Sequence, residues 1–439
     1  MKRLFFSLLL VNIYAAAMAQ PLRLQDAVSI ALRNSLDIQL VRNNQQIADI
    51  NNYVGIAGGL PVVTATGNDN EQSVNINQTI NRRTATGADS IYSIKSNGAT
   101  SNQLTSGVSG SILLYNGMRV AATKKRLAEL EKQSQQYVNS QIQNVIAAVM
   151  TSYYDVVRQQ NYLKTFVQSI DVAEKRLQII KAQQSVGLAN NADLFQSQLD
   201  LNNLQQSKVQ QQLVIDQAKT GLLSLLTLRP DSTVTISDTI LVDRGIVLGT
   251  ILDNLSTNPD VIAANDQIRI NELIEKETAA QRYPTVRLNA GYNYNRNQTS
   301  AGQTLLNQSN GPFIGGNFII PIYNGSIFKR QQRIAGINTR NAGLQKDIIV
   351  RDYSSNAVRT YQAYASSLVQ LDTAQRTLEL SQKLLDLVLQ RFQLRQATIV
   401  DITLAQQGFT TAAFSLINLS YASKSSEIEL KRLTSKLTP

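Results

Sequence analysis

The feature that most constrains this chain of 439 residues is an internal duplication with a fixed spacing. The tripeptide Tyr-Asn-Gly at 115–117 recurs at 323–325, and Asp193 recurs as Asp401 with the same offset along the chain. Repetition at a fixed period means that a chain is built from copies of one supersecondary unit. The fold must therefore use one structural plan twice.

The two copies differ in length at one place only. Pro61 and Gly117 are further apart along the chain than Pro284 and Gly325, which hold the same places in the second copy. The step from each of these glycines to the following aspartate is the same in both copies. One loop has changed length, and the segment after the glycine has not. We predict a signal peptide over 1–19, a first structural repeat over 20–230, a linker over 231–246 and a second structural repeat over 247–439.

Segments of alternating polarity come before each Tyr-Asn-Gly. Over 286–295, apolar and polar residues alternate with a period of two, which is typical of a strand with two different faces. We predict strands over about 62–78, 106–115, 285–297 and 313–322. The segments 80–104 and 298–311 are rich in Asn, Ser, Thr and Gly, and we predict that they are loops.

After each Tyr-Asn-Gly the apolar residues recur in steps of three and four, which indicates helix. No proline occurs between Pro61 and Pro230, or between Pro321 and Pro439. We predict long helices over about 117–186 and 325–394, followed by helices over about 190–227 and 398–437. A helix of about 70 residues would span on the order of 100 Å, and a narrow apolar seam among Gln, Asn, Ser and Ala suits coiled-coil packing.

The residue types exclude most enzyme chemistry. The chain has no Cys, no His and no Trp, so it offers no thiol nucleophile, no imidazole base and no ordinary zinc site. It has no GxGxxG motif and no P-loop. We therefore expect no catalytic residue, no metal site and no cofactor. The formal net charge is +11, but the basic residues are dispersed among Gln and Asn, so we expect a solvated surface and no nucleic-acid partner.

The segment 1–19 has the pattern of an export signal. Lys2 and Arg3 form a positive start, an apolar stretch follows, and Ala17-Met18-Ala19 supplies a cleavage site with small residues at its first and third positions. No later apolar run is long enough for a transmembrane helix, so we predict no helical membrane span in the mature chain. We expect an exported protein that meets a membrane, if at all, through its strands.

Strands of about ten residues have the length that a tilted transmembrane β-strand needs. Four strands cannot close a barrel, since known barrels begin at about eight, and an open edge in lipid leaves backbone groups unsatisfied. Chains would therefore have to pool their strands: two chains would supply about eight strands and three about twelve. The alternative is a soluble strand pair on a coiled coil, in a surface-anchored structural or adhesion protein without transport activity.

The landmarks of this chain resemble those of the outer membrane efflux protein (TolC) family over essentially the whole mature chain. Their order, doubled and correctly spaced, is what makes the resemblance specific. They are the LxxAxxxAL segment at 24–32, Asn258-Pro259, Tyr283-Pro284-Thr285-Val286, the Tyr-Asn-Gly turns at 115–117 and 323–325, Val186-Gly187-Leu188 before Asp193, and Ala397-Thr398-Ile399-Val400-Asp401.

The resemblance implies a mainly α fold with a transmembrane β portion, built from a duplicated helix-strand-strand-helix-helix repeat. Each chain of a homotrimer would supply four strands to a shared 12-stranded β-barrel, above a long periplasmic α-helical barrel. The implied function is a passive exit duct of a tripartite efflux or type I secretion system in the outer membrane, opened at its periplasmic tip. Its partners would be a periplasmic adaptor protein, an inner-membrane pump and outer-membrane lipid.

On this resemblance, 186–193 and 394–401 are the helix-helix turns at the periplasmic tip. The resemblance assigns adaptor docking to Gly187, Leu188, Arg395 and Gln396, and the pore constriction or gate to Asp401, Phe392 and Asp193. From the residues alone, Asp193 and Asp401 can equally be first-turn residues that the helix dipole favours.

Three positions depart from the family pattern. Arg395 replaces a second tip glycine, Leu404 replaces a second acid, and Phe392 stands where a gating tyrosine is common. A hydroxyl-to-carboxylate bond between position 392 and Asp193 is therefore not available. If three chains surround one axis, Asp401 would form a carboxylate ring that attracts cations.

Overall fold

The structure is a computed structural model that describes residues 21–438 except 84, 86 and 88. The predicted signal peptide over 1–19 lies outside the described residues. In chain order the elements are α1 (Leu24–Asn34), α2 (Leu36–Asn51), β1 (Val62–Arg83), β2 (Asp89–Tyr115), α3 (Arg119–Ser185), α4 (Asn191–Leu225), α5 (Leu248–Asp253), α6 (Pro259–Ala280), β3 (Thr285–Thr299), β4 (Leu306–Ile319), α7 (Ile327–Gln393) and α8 (Ile399–Leu433).

The predicted duplicated order of elements is confirmed. Helices α3 and α7 are both 67 residues long, and α4 and α8 are both 35 residues long. The starts of α3 and α7 are separated along the chain by the same number of residues as the two Tyr-Asn-Gly turns. The starts of α4 and α8 have this separation too. Among the described residues, no helix is both long enough and apolar enough to cross a membrane.

The four strands form one antiparallel sheet in the order β1-β2-β3-β4. Val62 lies opposite Ser111, Val108 opposite Tyr292, and Gly291 opposite Phe313. The sheet thus grows by adding each strand to the previous one along the chain.

The prediction of loops over 80–104 and 298–311 is wrong for most of both segments. The first lies largely within β1 and β2, which pair as far as Arg83 and Asp89, and β4 already begins at Leu306. Polar side chains pair across these strands, as the amide Nδ2 of Asn102 donates to Asp69 Oδ1 at 2.8 Å. Because the main chain forms the ladder, polar composition on both faces does not prevent a hairpin from extending.

The chain divides into two compact units. One contains the described residues up to Gln45, Gln133–Asn265 and the chain from Gln345 onward, and the other contains Gln46–Lys132 and Asp266–Leu344. Each unit takes segments from both predicted repeats, so the compact units and the repeats are different divisions of the chain.

Helix α3 shows how the first unit builds its core. Ile146, Val149, Tyr153 and Val156 are buried at steps of three and four residues, as the apolar seam predicts. The Tyr153 hydroxyl lies 2.9 Å from the carbonyl oxygen of Leu22 and also donates to Asp238. Burial and the bond to Asp238 raise the pKa of Tyr153, so it remains a neutral donor.

Candidate functional site

The turn between α3 and α4 ends the first long helix with a left-handed glycine. Gly187 has φ 74°. Its N–H donates to Gln184 O at 2.9 Å, and the N–H of Leu188 donates to Gln183 O at 2.8 Å. These two bonds define a Schellman motif, which satisfies carbonyls at the helix end. Glycine adopts this conformation without steric cost because it has no Cβ.

The turn between α7 and α8 has the same geometry without a glycine. Arg395 has φ 63°, its N–H donates to Phe392 O at 3.1 Å, and the N–H of Gln396 donates to Arg391 O at 2.8 Å. The replacement of glycine by Arg395 therefore keeps the backbone of the turn. A left-handed conformation costs a residue with a Cβ about 1–2 kcal/mol.

The following helices begin with different caps. The side chain of Asn190 accepts the N–H of Asp193 at 2.7 Å, which leaves the Asp193 carboxylate outside the cap bond. Thr398 and Asp401 instead form a reciprocal capping box. The Asp401 N–H lies 3.2 Å from Thr398 Oγ1, and Asp401 Oδ2 accepts from the Thr398 N–H and hydroxyl, each at 2.8 Å.

These bonds determine the charge state of Asp401. The backbone N–H of Thr398 and then its hydroxyl hold the pKa of the Asp401 carboxyl below its ordinary value of 3.8, and Arg391 lowers it further. Within one chain the carboxylate is thus an ionised first-turn residue at neutral pH. Its side chain is exposed in the single chain.

A small apolar cluster packs between the two turns. Phe392 is 5% exposed and lies against Ile180 of α3 and Ile402 of α8. The partly buried members of the cluster are Ile179, Ala189, Leu194, Val388, Leu389, Ala397 and Ile399. The structure therefore places Phe392 inside the tip and not on its surface.

The predicted site residues other than Gly187 line two separate cavities. Asp193, Phe392, Leu188 and Arg395 line one cavity of about 320 Å³ between the turns. Asp401 and Gln396 line a second cavity of about 420 Å³ between α7 and α8, together with Arg391 and Leu404. Arg391 Nη2 donates to the carbonyl oxygen of Gln396 at 3.1 Å. The two aspartates thus face different surroundings, although they occupy equivalent places in the repeats.

Arg176, near the two turns, is a buried polar residue that was not predicted from the sequence. Its side chain is 1% exposed, Nη2 pairs with Asp200 Oδ2 at 2.7 Å, and Nη1 donates to Thr403 Oγ1 at 2.8 Å. It therefore connects α3 with α4 and α8. Burial lowers the pKa of the guanidinium, and the carboxylate of Asp200 opposes this change. The available signal was its place in the apolar seam, three residues after Ala173 and four before Ile180, both fully buried.

Solved structures share this fold. The chain is similar to CusC, whose structures concern folding and transmembrane channel formation, with a TM-score of 0.77 and 16% identity over 94% of this chain and 92% of CusC. It is also similar to the outer membrane protein VceC from Vibrio cholerae, with a TM-score of 0.76 and 15% identity over 95% of this chain and 97% of VceC.

Sequence comparison identifies the family. The chain is 24% identical over 228 residues to protein CyaE of Bordetella pertussis, a match that spans 51% of this chain and only 47% of CyaE. The profile of the family described as outer membrane efflux protein matches residues 27–227 and 251–436, which is most of the chain. This chain therefore belongs to the outer membrane efflux protein family, and its location is the outer membrane, with a large periplasmic portion.

Proposed function

We propose that three copies of this chain form a passive exit duct of a tripartite efflux or type I secretion system. One observation carries the proposal: the sheet has two open edges. Among the described residues, β1 and β4 each pair on one side only. An edge in lipid leaves N–H and C=O groups unsatisfied, each costing several kcal/mol. Pairing β4 of one chain with β1 of the next removes both edges, and three chains then supply twelve strands.

Side chains on β4 support insertion into lipid. Ile314 is 77% exposed and Phe318 is 63% exposed in the single chain, and both lie on the same face of the strand. An apolar surface of this kind is costly in water and is expected on the lipid face of a barrel.

The periplasmic end of the proposed duct is the pair of helix turns. Leu188 is 50% exposed and Leu394 is 69% exposed beside the two Schellman motifs, which supports docking of a periplasmic adaptor protein around Gly187, Leu188, Arg395 and Gln396. Asp401 is the proposed constriction residue, since one exposed carboxylate per chain becomes a ring around a shared axis. In this proposal Phe392 packs the two turns together beside that ring, and Asp193 lines the cavity between the turns.

Two measurements test the proposal. Light scattering of the detergent-solubilised protein should give the mass of a trimer, and the protein should form conducting pores in a planar bilayer. A folded monomer in lipid, or an oligomer without conductance, would contradict it.

The Asp401→Asn variant tests the constriction. It should form pores whose preference for cations is reduced and whose block by multivalent cations is weaker, since the ring has lost its charge. Asp193→Asn is the matched control and should keep more of the selectivity, because Asp193 lines the other cavity. Unchanged selectivity in Asp401→Asn would leave Asp401 as a helix-capping residue only.

A further inference from the structure

The second unit carries a group of basic side chains to which the proposed function gives no role. Lys329, Arg330 and Arg333 lie in the first two turns of α7, directly after the last strand. Residues three and four apart share one face of a helix, so Arg333 lies beside both of the others. All three are exposed. They form what we term the basic patch.

The basic patch has no internal counter-charge. Among the described residues, none of the three cations makes an ion pair or a side-chain hydrogen bond. Glu275 reaches α7 at Gly336, where its Oε1 lies 3.5 Å from the place of a Cβ, but it pairs with none of the patch. The first turn of α7 also contains no acidic residue. The positive end of the helix dipole adds to the positive potential there.

The equivalent region of the first repeat behaves differently. Lys124 donates to the side chain of Asn52, and Arg126 pairs with Glu277 at 2.7 Å. Two of the three cations in the cluster at 124–126 are thus engaged within the chain. Ala121 and Ala122 hold the places in the first repeat that Lys329 and Arg330 hold in the second, and only Arg333 has a basic counterpart, Lys125. The basic patch as a group of three unpaired cations is therefore particular to the second repeat.

A band of exposed apolar side chains adjoins the basic patch. Ile322 is 95% exposed and Tyr323 is 84% exposed, and Ile320 and Ile327 are each about half exposed. This band separates the strand β4 from the patch along the chain. Apolar and tyrosine side chains followed at once by cations are the order expected from a hydrocarbon boundary to a layer of phosphate headgroups.

We propose that the basic patch binds the headgroups of anionic phospholipids at the periplasmic surface of the outer membrane. This inference rests on the proposed function, because it needs the strands to lie in the membrane. The apolar band would sit at the boundary of the hydrocarbon and fix the depth of the barrel, and the patch would hold the phosphates below it.

The test uses the full-length protein in a neutral detergent, titrated by calorimetry with dioctanoyl phosphatidylglycerol, dioctanoyl phosphatidylcholine and glycerol 1-phosphate. The variant Lys329→Gln/Arg330→Gln/Arg333→Gln removes the patch. The control variant Arg359→Gln/Arg376→Gln/Lys383→Gln removes the same charge from exposed positions of α7 that lie well beyond its first turns.

Phosphatidylglycerol should bind the wild type and the control variant alike. It should bind the patch variant about a hundredfold more weakly, since each cation near an anionic surface contributes about fivefold. Equal binding of phosphatidylglycerol and phosphatidylcholine would overturn the proposal, as would unchanged binding in the patch variant. Binding of glycerol 1-phosphate as tight as that of phosphatidylglycerol would show a free-phosphate site and would also overturn it.

Bilayer conductance separates this proposal from the proposed function. The patch variant should still form pores, because its strands and tip are unchanged. If wild-type protein binds phosphatidylglycerol as expected but forms no pore, the duct is wrong and the lipid-binding surface stands. If pores form and the three proteins bind lipid equally, the duct stands and the lipid-binding surface is wrong.

Discussion

Two helical hairpins, α3 with α4 and α7 with α8, have turns of the same backbone conformation. Different side chains pack the two hairpins. Gly187 and Arg395 hold equivalent places in the two repeats, each at the left-handed position. The pair of buried Arg176 and partly buried Asp200 in the first hairpin corresponds to Leu384 and Gly408 in the second.

The buried Phe392 of the second hairpin corresponds to Gln184 of the first, which is not buried. The turn motifs survived duplication because main-chain atoms make their hydrogen bonds, whatever the side chain. The side chains that pack the hairpins differ between the repeats, because both an ion pair and an aromatic ring can stabilise packing between helices.

The largest expected effect comes from removing the aromatic anchor. Phe392→Ala should lower the free energy of unfolding of the tip by about 3–5 kcal/mol, through lost burial and the cavity left behind. The measurement is the helical circular dichroism signal of the detergent-solubilised protein during chemical denaturation. Gln184→Ala is the matched control and should change this free energy by only about 1 kcal/mol, since it removes the exposed hydrogen bond from Gln184 Nε2 to Asn191 Oδ1. Equal effects of the two variants would show that the hairpins are anchored alike.

The ion pair of the buried Arg176 with Asp200 should give the next effect. Asp200→Ala leaves the guanidinium of Arg176 buried without its carboxylate and should cost about 3 kcal/mol by the same measurement. The double variant Arg176→Leu/Asp200→Gly has the residues of the second hairpin at these two positions. Its free energy of unfolding should fall by less than that of the single variant, since no charge is left buried. Lys175→Ala breaks the exposed pair of Lys175 and Asp171 and should cost only about 0.3–0.5 kcal/mol. A double variant that is less stable than Asp200→Ala would contradict this account.

A smaller effect separates the two left-handed positions. Gly187→Ala should cost about 1 kcal/mol, because the strain of a Cβ exceeds the gain from a stiffer unfolded chain. Arg395→Gly should be neutral or stabilise by up to about 1 kcal/mol, since it relieves the strain that Gly187 avoids. Thermal melting of the two variants beside the wild type measures both. A loss of stability in Arg395→Gly comparable to that in Gly187→Ala would mean that the arginine side chain stabilises the turn.

The smallest expected effect concerns pH and the two caps. The folded chain lowers the pKa of Asp401, so this residue contributes stability above its unfolded value of 3.8, and that contribution is lost as pH falls below 3.8 towards the folded value. Asp401→Asn should therefore remove part of the acid sensitivity of the tip, measured as the shift of the melting temperature between neutral and acidic buffer. In the other hairpin the cap is the amide of Asn190, so the loss caused by Asn190→Ala should be the same in both buffers. If Asp401→Asn leaves the acid sensitivity intact, the sensitivity comes from other carboxyl groups.

Much of the fold could be predicted from the sequence. The offset between the two Tyr-Asn-Gly turns is also the offset between α3 and α7 and between α4 and α8. Helical periodicity, the absence of proline and the residues at the turns are local signals, and long helices satisfy their hydrogen bonds locally. The order of the elements and the places of the two helix-helix turns followed from these signals, and the family resemblance assigned these turns to the tip.

Only the tertiary structure decided the extent of the strands and the contents of the tip. Hydrogen bonds in a sheet join residues that are far apart along the chain, so local composition does not reveal them. The polar composition near Asn102 therefore indicated a loop, although this segment pairs with β1. Burial is likewise a property of neighbouring helices: the sequence did not show that Phe392 packs in the core between the turns, or that Arg176 is a buried link between helices. The sequence determined which segments form helices and turns locally, and packing between distant segments decided which side chains are buried and which remain exposed.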